Sequence, residues 1–204
     1  MGFYRDHVFP LLVELSMRNK HLHPYRARVA SAAEGRVLDV GIGTGLNLPF
    51  YSSGAGEILG LDPSPALLAR THGRALELQC PVRLLVGSAE QIPLDDRSID
   101  SVVMTWTGCS IPAVTTALSE MRRVLRPGGR LLFVEHGRAP EPNVARWQDR
   151  VTPVWRRISG GCHLNRKIDD LLGQSGFRIE RLDTGYIPGP RIFTFLYEGA
   201  ATPR

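Results

Sequence analysis

Strand-like and helix-like patterns alternate along most of the chain, and this alternation constrains the fold more than any other feature. Short apolar runs that end at glycine or aspartate predict strands, and apolar residues at helical spacing predict helices between them. The predicted strands are 36–40, 57–61, 82–86, 99–105, 130–135, 177–182 and 192–197. Such alternation over about 140 residues predicts an α/β fold, a doubly wound and mostly parallel sheet with helices on both faces.

The helices predicted between these strands cover residues 65–78, 114–125, 144–158 and 164–174. We expect the third of them to bend or split at Pro153, because proline cannot donate the helical hydrogen bond. No helix fits between the last two strands, 177–182 and 192–197. A short connection favours antiparallel pairing, so the final strand is expected to run antiparallel.

Composition narrows the class of protein. The chain has 204 residues, of which 43% are apolar and 22% charged, so it can form a globular core. The net charge of +5 is scattered, so no nucleic-acid partner is expected. Cys80, Cys109 and Cys162 do not have the spacing of a disulfide framework or a zinc site, so we expect no metal and a reducing, cytoplasmic location.

Residues 1–33 are read as a helical segment that precedes a domain at 34–204. One interpretation is a lid over the site, which would help to exclude water. The alternative is weak contact with a membrane surface, because Val8, Leu11 and Leu12 are apolar while Arg18 and Lys20 are basic. Because Glu14 interrupts the apolar run, we expect no signal peptide. We also expect no membrane span, because polar residues and Pro112 interrupt the long uncharged segment 101–119.

A glycine-rich turn follows the first strand of the domain. The segment Val37–Gly45 reads VLDVGIGTG, and glycines there allow positive φ and close approach of a ligand to the backbone. The second strand ends at Asp62, 21 residues after Gly41, where a carboxylate can accept hydrogen bonds from both ribose hydroxyls. Together they predict a nucleoside site at the carboxyl edge of the sheet.

The glycine spacing is G-x-G-x-G, which differs from the dinucleotide-binding G-x-G-x-x-G. Asp39 precedes the turn by two residues, and its charge suits an ammonium or sulfonium group better than a pyrophosphate. This segment resembles motif I of the class I S-adenosylmethionine-dependent methyltransferases. Three later segments, 87–94, 99–103 and 125–131, resemble further motifs of that class.

The resemblance implies a seven-stranded Rossmann-like sheet, S-adenosyl-L-methionine as cofactor, and a small-molecule acceptor. It implies cofactor-binding roles for Asp39, Gly41, Gly43, Gly45, Asp62, Pro63, Ser64, Ser88, Ala89, Glu90, Thr105 and Trp106. The class often has aspartate where this chain has Ser88, so the backbone of Ala89 is expected to contribute to the adenine site.

The last third of the chain resembles the methyltransferase-like seven family of alkyl thiol S-methyltransferases and its bacterial relatives. Its segments 155–157, 160–166, 176–177, 186–190 and 197–199 carry this resemblance, together with the earlier segments 109–112 and 134–136. The resemblance implies thiol methylation, for which His136 and His163 are the candidate proton acceptors. Cys109 and Cys162 remain open as pocket residues, redox-sensitive thiols or ordinary buried residues.

Three alternatives stay open. Two are enzymatic, N-methylation of a lipid headgroup and C- or O-methylation of a quinone-like ring. The third is a domain that binds the cofactor for regulation without catalysis. The sequence does not indicate the oligomeric state.

Overall fold

A computed structural model describes residues 14, 15 and 17–204, and the predictions for residues 1–13 and 16 lie outside it. The strands are β1 (Gly35–Val40), β2 (Ala55–Asp62), β3 (Val82–Val86), β4 (Ile99–Thr105), β5 (Leu125–His136), β6 (Phe177–Tyr186) and β7 (Phe195–Pro203). The helices are α1 (His23–Ser31), α2 (Pro65–Ala75), α3 (Val114–Val124), α4 (Pro142–Ile158), α5 (Ile168–Gln174) and the single turn α6 (Arg191–Thr194). Lys20–Leu22 and Leu48–Phe50 form 3₁₀ turns.

The described residues form one seven-stranded sheet in the order β3-β2-β1-β4-β5-β7-β6. The first five strands in that order are parallel, and β7 runs antiparallel to both β5 and β6. The predicted fold class and the antiparallel end of the sheet are therefore confirmed. The strand order reverses between β1 and β4, and the crevice outside their carboxyl ends is where such sheets bind ligands.

Two hydrophobic clusters cover the two faces of the sheet. Along β4 the residues alternate between them, since Val102 and Met104 belong to one cluster and Val103 to the other. All three are at most 1% exposed, which explains why this central strand is a nearly continuous apolar run. A rigid central strand fixes the positions of the residues that follow it, Thr105 and Trp106.

The structure corrects three details of the predicted elements. Helix α4 is continuous through the exposed Pro153, so the predicted split does not occur, while a bend there stays a prediction. The strand predicted at 192–197 begins only at Phe195, because Pro190 starts the helical turn α6 before it. The helix predicted from 164 begins at Ile168, and the preceding residues form a loop at the carboxyl edge.

No helix in the described part of the chain is long and apolar enough to cross a membrane. Helix α1 packs beside the carboxyl edge, where its buried Arg26 reaches the segment after β1. Whether residues 1–33 act as a lid stays a prediction.

Candidate functional site

The glycine turn after β1 adopts the left-handed backbone that its glycines permit. Gly41, Gly43 and Gly45 have φ of +69°, +57° and +77°. A Cβ atom on Gly41 would lie 2.3 Å from the Thr107 side chain, so glycine is needed there for packing. A Cβ on Gly43 would have only the carbonyl of Gly41 within 4 Å, at 3.8 Å, so this side of the turn is open to a ligand.

Asp62 lies at the end of β2, beside the glycine turn. Its carboxylate accepts hydrogen bonds from the backbone N–H groups of Gly43 at 3.0 Å and Ser64 at 2.8 Å. The side chain is buried, and this burial raises its pKa. Because two carboxylate oxygens offer about four acceptor positions, two remain for hydroxyl donors.

The segments predicted to hold adenine lie next to Asp62. The backbone N–H of Gly87, just after β3, donates to the Asp62 carbonyl at 3.1 Å, so the following loop begins at this edge. Ala89 is buried in that loop. On the other side, the Ser64 side chain caps α2 by accepting from Leu67, while Pro63 is exposed.

Ser88 and Glu90 hydrogen-bond within the same loop. The Ser88 hydroxyl accepts from the N–H of Glu90 at 3.1 Å, and one Glu90 oxygen accepts from the N–H of Ala113 at 2.6 Å. Glu90 therefore ties the loop to the start of α3. Both residues lie where the sequence predicted them, but their side chains already have partners within the protein.

Asp39 is fully buried and belongs to a polar network. Its two oxygens accept from the Asn47 side-chain nitrogen, at 3.1 and 3.0 Å, and one also accepts from the Tyr51 hydroxyl at 2.9 Å. Burial raises the pKa of Asp39 to about 6, while the Asn47 and Tyr51 hydrogen bonds and the positive charge of Arg26 oppose that shift. Asp39 can therefore act on a ligand through its charge and through the turn that it holds.

Thr105 and Trp106 join this network at the end of β4. The Thr105 hydroxyl accepts from the Asn47 side-chain nitrogen at 3.0 Å. Trp106 has φ of +49°, which is rare for a bulky residue and common at functional sites. The Arg26 guanidinium lies 4.7 Å from the centre of the Trp106 ring.

Sequence reasoning missed Arg26, Asn47 and Tyr51. Arg26 is 4% exposed and donates to the Asn47 side-chain oxygen at 2.7 Å, while its Nε has no hydrogen-bond partner among the described residues. The sequence holds no signal for Arg26, because its burial follows from the packing of α1 and buried arginine is rare unless paired.

On the acceptor side, the buried carboxylate of Glu135 holds the loop that follows β4. It accepts from the backbone N–H groups of Thr107 at 2.8 Å, Gly108 at 2.9 Å and Cys109 at 3.2 Å. Burial raises its pKa, and these hydrogen bonds lower it. Glu135 therefore fixes the backbone of a loop that borders the predicted acceptor position.

His136 ends β5 behind that loop. Its Nε2 lies 3.5 Å from the Cys162 sulfur, which lies 3.5 Å from the Cys109 sulfur. The imidazole is 7% exposed. Burial lowers its pKa, but the neighbouring Cys109 and Glu135 outweigh burial and give a net rise.

His163 lies in the loop before α5 and is more accessible than His136. Its Nδ1 lies 3.1 Å from the Cys109 carbonyl, which only a protonated Nδ1 can approach as a donor. Burial and the charge of Arg166 lower its pKa. Arg166, from the same loop, donates to the carbonyls of Gly108 and Pro112. The structure thus brings both candidate histidines to one loop, and their roles stay predictions.

Comparison with known proteins identifies the class. A family model described as a methyltransferase domain matches residues 38–133. In fold, the chain is similar to an S-adenosylmethionine-dependent methyltransferase from Thermotoga maritima, with a TM-score of 0.69 at 22% identity, covering 97% of this chain and 99% of that one. Residues 38–133 form a methyltransferase domain with the class I S-adenosylmethionine-dependent fold, and the cofactor that this implies is S-adenosyl-L-methionine.

Two curated relatives of the chain have names that state different methyl acceptors. Thiol S-methyltransferase TMT1B of Rattus norvegicus is 37% identical over 139 residues, 66% of this chain and 56% of the relative. Phosphatidylethanolamine N-methyltransferase of Cereibacter sphaeroides is 38% identical over 108 residues, 52% of this chain and 53% of the relative. The chain therefore spans just over half the length of each.

The residues at the carboxyl edge fit this cofactor. Because Gly43 has no Cβ, a cofactor atom can lie in the open space beside it. Asp62 can still accept hydrogen bonds from the ribose hydroxyls. Arg26 and Asp39 supply one positive and one negative charge, which complement the carboxylate and ammonium groups of the cofactor's amino acid portion.

Proposed function

We propose that the chain transfers a methyl group from S-adenosylmethionine to the thiol sulfur of a small-molecule acceptor. The observation that carries the choice of a thiol is that His163 and Arg166 both contact backbone carbonyls of the loop after β4, while His136 lies behind that loop beside Cys162. The similarity to TMT1B of Rattus norvegicus, whose name states the same chemistry, supports it.

A thiol must lose its proton to become a good nucleophile. A free thiol has a pKa of about 8.5, so only a few per cent is thiolate at neutral pH. The Arg166 guanidinium is half-buried and stays charged, so it favours an anion nearby. A protonated amine acceptor is itself positively charged, so the charge of Arg166 would not stabilise it.

When bound, S-adenosylmethionine supplies a methyl group on a positively charged sulfur, which is a good leaving group. The protein residues then have to bind, orient and exclude water. The glycine turn and Asp62 would hold the nucleoside portion, and Arg26 with Asp39 the amino acid portion. Glu135 holds the loop that borders the acceptor, which limits the orientations open to it.

Of the two histidines, His163 has the better geometry for taking the acceptor proton. With Nδ1 donating to the Cys109 carbonyl, its Nε2 carries the free lone pair. His136 lies behind Cys109 and Cys162, so an acceptor would have to displace these side chains to reach it. Position at the end of a strand on the carboxyl edge slightly favours His136 from the sequence, whereas these contacts favour His163.

An acceptor panel tests the proposal. The purified chain is incubated with S-adenosylmethionine bearing a labelled methyl group and, in turn, an alkyl thiol, an aryl thiol, phosphatidylethanolamine and a hydroquinone. We expect label in a thioether product with at least one thiol. Transfer only to the amine or the ring overturns the thiol proposal. Cofactor binding without transfer to any acceptor supports a regulatory domain instead.

A further inference from the structure

Three metal-ligating side chains from separate parts of the chain meet behind the loop that follows β4. Cys109 lies in that loop, His136 ends β5, and Cys162 lies between α4 and α5. Their ligand atoms all lie within 4.8 Å of one another. Cys109 is 2% exposed and His136 is 7% exposed, while Cys162 is partly exposed, so the cluster is buried around two of its members and accessible to water at the third.

The spacing of these atoms matches a tetrahedral metal site. Zinc bonds of about 2.3 Å to sulfur and about 2.0 Å to nitrogen place two sulfurs about 3.8 Å apart and a sulfur and a nitrogen about 3.5 Å apart. The observed separations are 3.5 Å between the two sulfurs and 3.5 Å between the Cys162 sulfur and His136 Nε2. The Cys162 sulfur also lies 3.8 Å from His136 Nδ1, and all three ligand atoms lie within 4.8 Å of one another, so a rotation of the imidazole would be needed to direct one ring nitrogen at an ion.

We propose that Cys109, His136 and Cys162 form a Zn²⁺ site whose fourth position is filled by water or a small ligand. Two thiolates and an imidazole are soft ligands, which select zinc over magnesium or calcium. Binding releases the two thiol protons to solvent, and the divalent charge neutralises the two thiolates. The inference goes beyond the proposed function, because it holds whichever acceptor is methylated.

The surroundings of the cluster are already arranged. The Glu135 carboxylate accepts from the Cys109 N–H at 3.2 Å, and the Cys109 carbonyl accepts from the His163 N–H at 2.8 Å. These two hydrogen bonds fix the backbone that carries the Cys109 side chain. The indole N–H of Trp155 is buried without a hydrogen-bond partner in the part of the chain described.

The sequence did not predict this site, because neighbouring ligands are 26 to 27 residues apart and come from three separate parts of the chain. Zinc motifs are usually recognised by pairs of ligands two to five residues apart. The fold brings the three together, so an ion there would tie the loop after β4 to the loop before α5.

Metal titration of the full chain tests the proposal. The protein is reduced, freed of reductant without air, and titrated with Zn²⁺ against a chromophoric chelator. We expect one tightly bound Zn²⁺ per chain. Co²⁺ in its place should give the visible bands of a tetrahedral site and a thiolate-to-cobalt charge-transfer band.

Variants assign the ligands. Cys162→Ser and His136→Asn should each weaken Zn²⁺ binding at least about tenfold, since loss of even an outer-shell partner has that effect. Cys80→Ser, which changes the third cysteine, should bind as the wild type does. Calorimetry with S-adenosylhomocysteine checks that each variant is folded.

Two results would overturn the inference. The first is reduced, folded wild-type protein that takes up no Zn²⁺. If the same protein then forms a disulfide between Cys109 and Cys162 on exposure to air, that disulfide would account for the proximity of the two sulfurs. The second is Zn²⁺ binding that Cys162→Ser and His136→Asn leave unchanged.

Discussion

The side-chain nitrogen of Asn47 lies 3.1 Å from one carboxylate oxygen of Asp39 and 3.0 Å from the other. Asn47 also accepts from Arg26, so one amide connects a buried acid to a buried base. The connection joins α1 to the end of β1 and the segment after it, on which the glycine turn depends. The charge state of Asp39 should therefore affect both stability and cofactor affinity.

The stability of the free protein should depend on the ionisation of Asp39. Its pKa is raised to about 6, chiefly by burial, so between about pH 4 and 6 the folded state binds more protons there than the unfolded state. The free energy of unfolding contributed by Asp39 should therefore rise as pH falls through 6. Urea unfolding at pH 7 and pH 4.5 measures this against Asp39→Asn, which does not titrate.

We expect the stability of the wild type relative to Asp39→Asn to be greater at pH 4.5 than at pH 7. Affinity for S-adenosylhomocysteine should change in the opposite direction, because protonation removes the charge that attracts its ammonium group. A stability difference that is the same at both pH values would contradict the proposed burial of the charge.

Asp62→Ala should weaken binding of S-adenosylmethionine and S-adenosylhomocysteine by about 1–3 kcal/mol, since it removes the acceptor for the ribose hydroxyls. Isothermal calorimetry measures the change, and NAD should show no binding to the wild type. Asp95→Asn, at an exposed carboxyl away from the carboxyl edge, is the control. NAD binding would show that the glycine spacing had been misinterpreted.

The local sequence pattern predicts the bounds of those strands and helices that are set by residues adjacent in the chain. Strands 82–86 and 99–105 have the predicted bounds, and the first of them is flanked by Pro81 and Gly87, which interrupt strands. Pro153 does not split α4, because an exposed proline can be accommodated within a long helix. The helix boundary at Ile168 could not be predicted, because the preceding residues are held by contacts with the loop after β4.

The residues of the candidate site also fall into two groups, those that the sequence predicts and those that it does not. Asp62 and the glycine turn could be predicted because their spacing along the chain is itself the signal. The Arg26–Asn47–Asp39 network could not, since a helix, a loop and a strand each contribute one member and only packing brings them together.

The N-terminal segment is linked to the glycine turn through Glu14. Glu14 accepts from Arg18, Arg70 and Arg74, and Arg74 also donates to the Thr44 carbonyl within the turn. Glu14→Gln should raise the Kd for S-adenosylhomocysteine about two- to fivefold, the effect of losing up to about 1 kcal/mol. Calorimetry measures it, with Glu77→Gln as an exposed control.

The same variant separates the two interpretations of residues 1–33. A lid predicts weaker cofactor binding and unchanged binding to anionic liposomes. Deleting residues 1–20 should likewise lower methyl transfer more than liposome affinity. Unchanged Kd and turnover together with lost liposome binding would favour the membrane-surface interpretation.

His163→Asn should lower kcat/KM for a thiol acceptor at pH 7 by about 10²–10⁴-fold, the usual contribution of a general base. The Kd for S-adenosylhomocysteine should stay unchanged, because the imidazole contacts the loop after β4 and not the glycine turn. At pH 9–10 the deficit should shrink, since most of the acceptor thiol is then ionised in solution and needs no base. Recovery at high pH separates lost proton transfer from a merely misplaced loop.

His136→Asn is the matched variant on the other side of the loop. Because Cys109 and Cys162 cover His136, its loss should not show the alkaline recovery expected of His163→Asn. Recovery in His136→Asn alone would assign the base to His136 and reverse the order that the geometry supports. If both variants keep full activity at pH 7, neither histidine is the base. The enzyme would then act by aligning and desolvating thiolate that forms in solution.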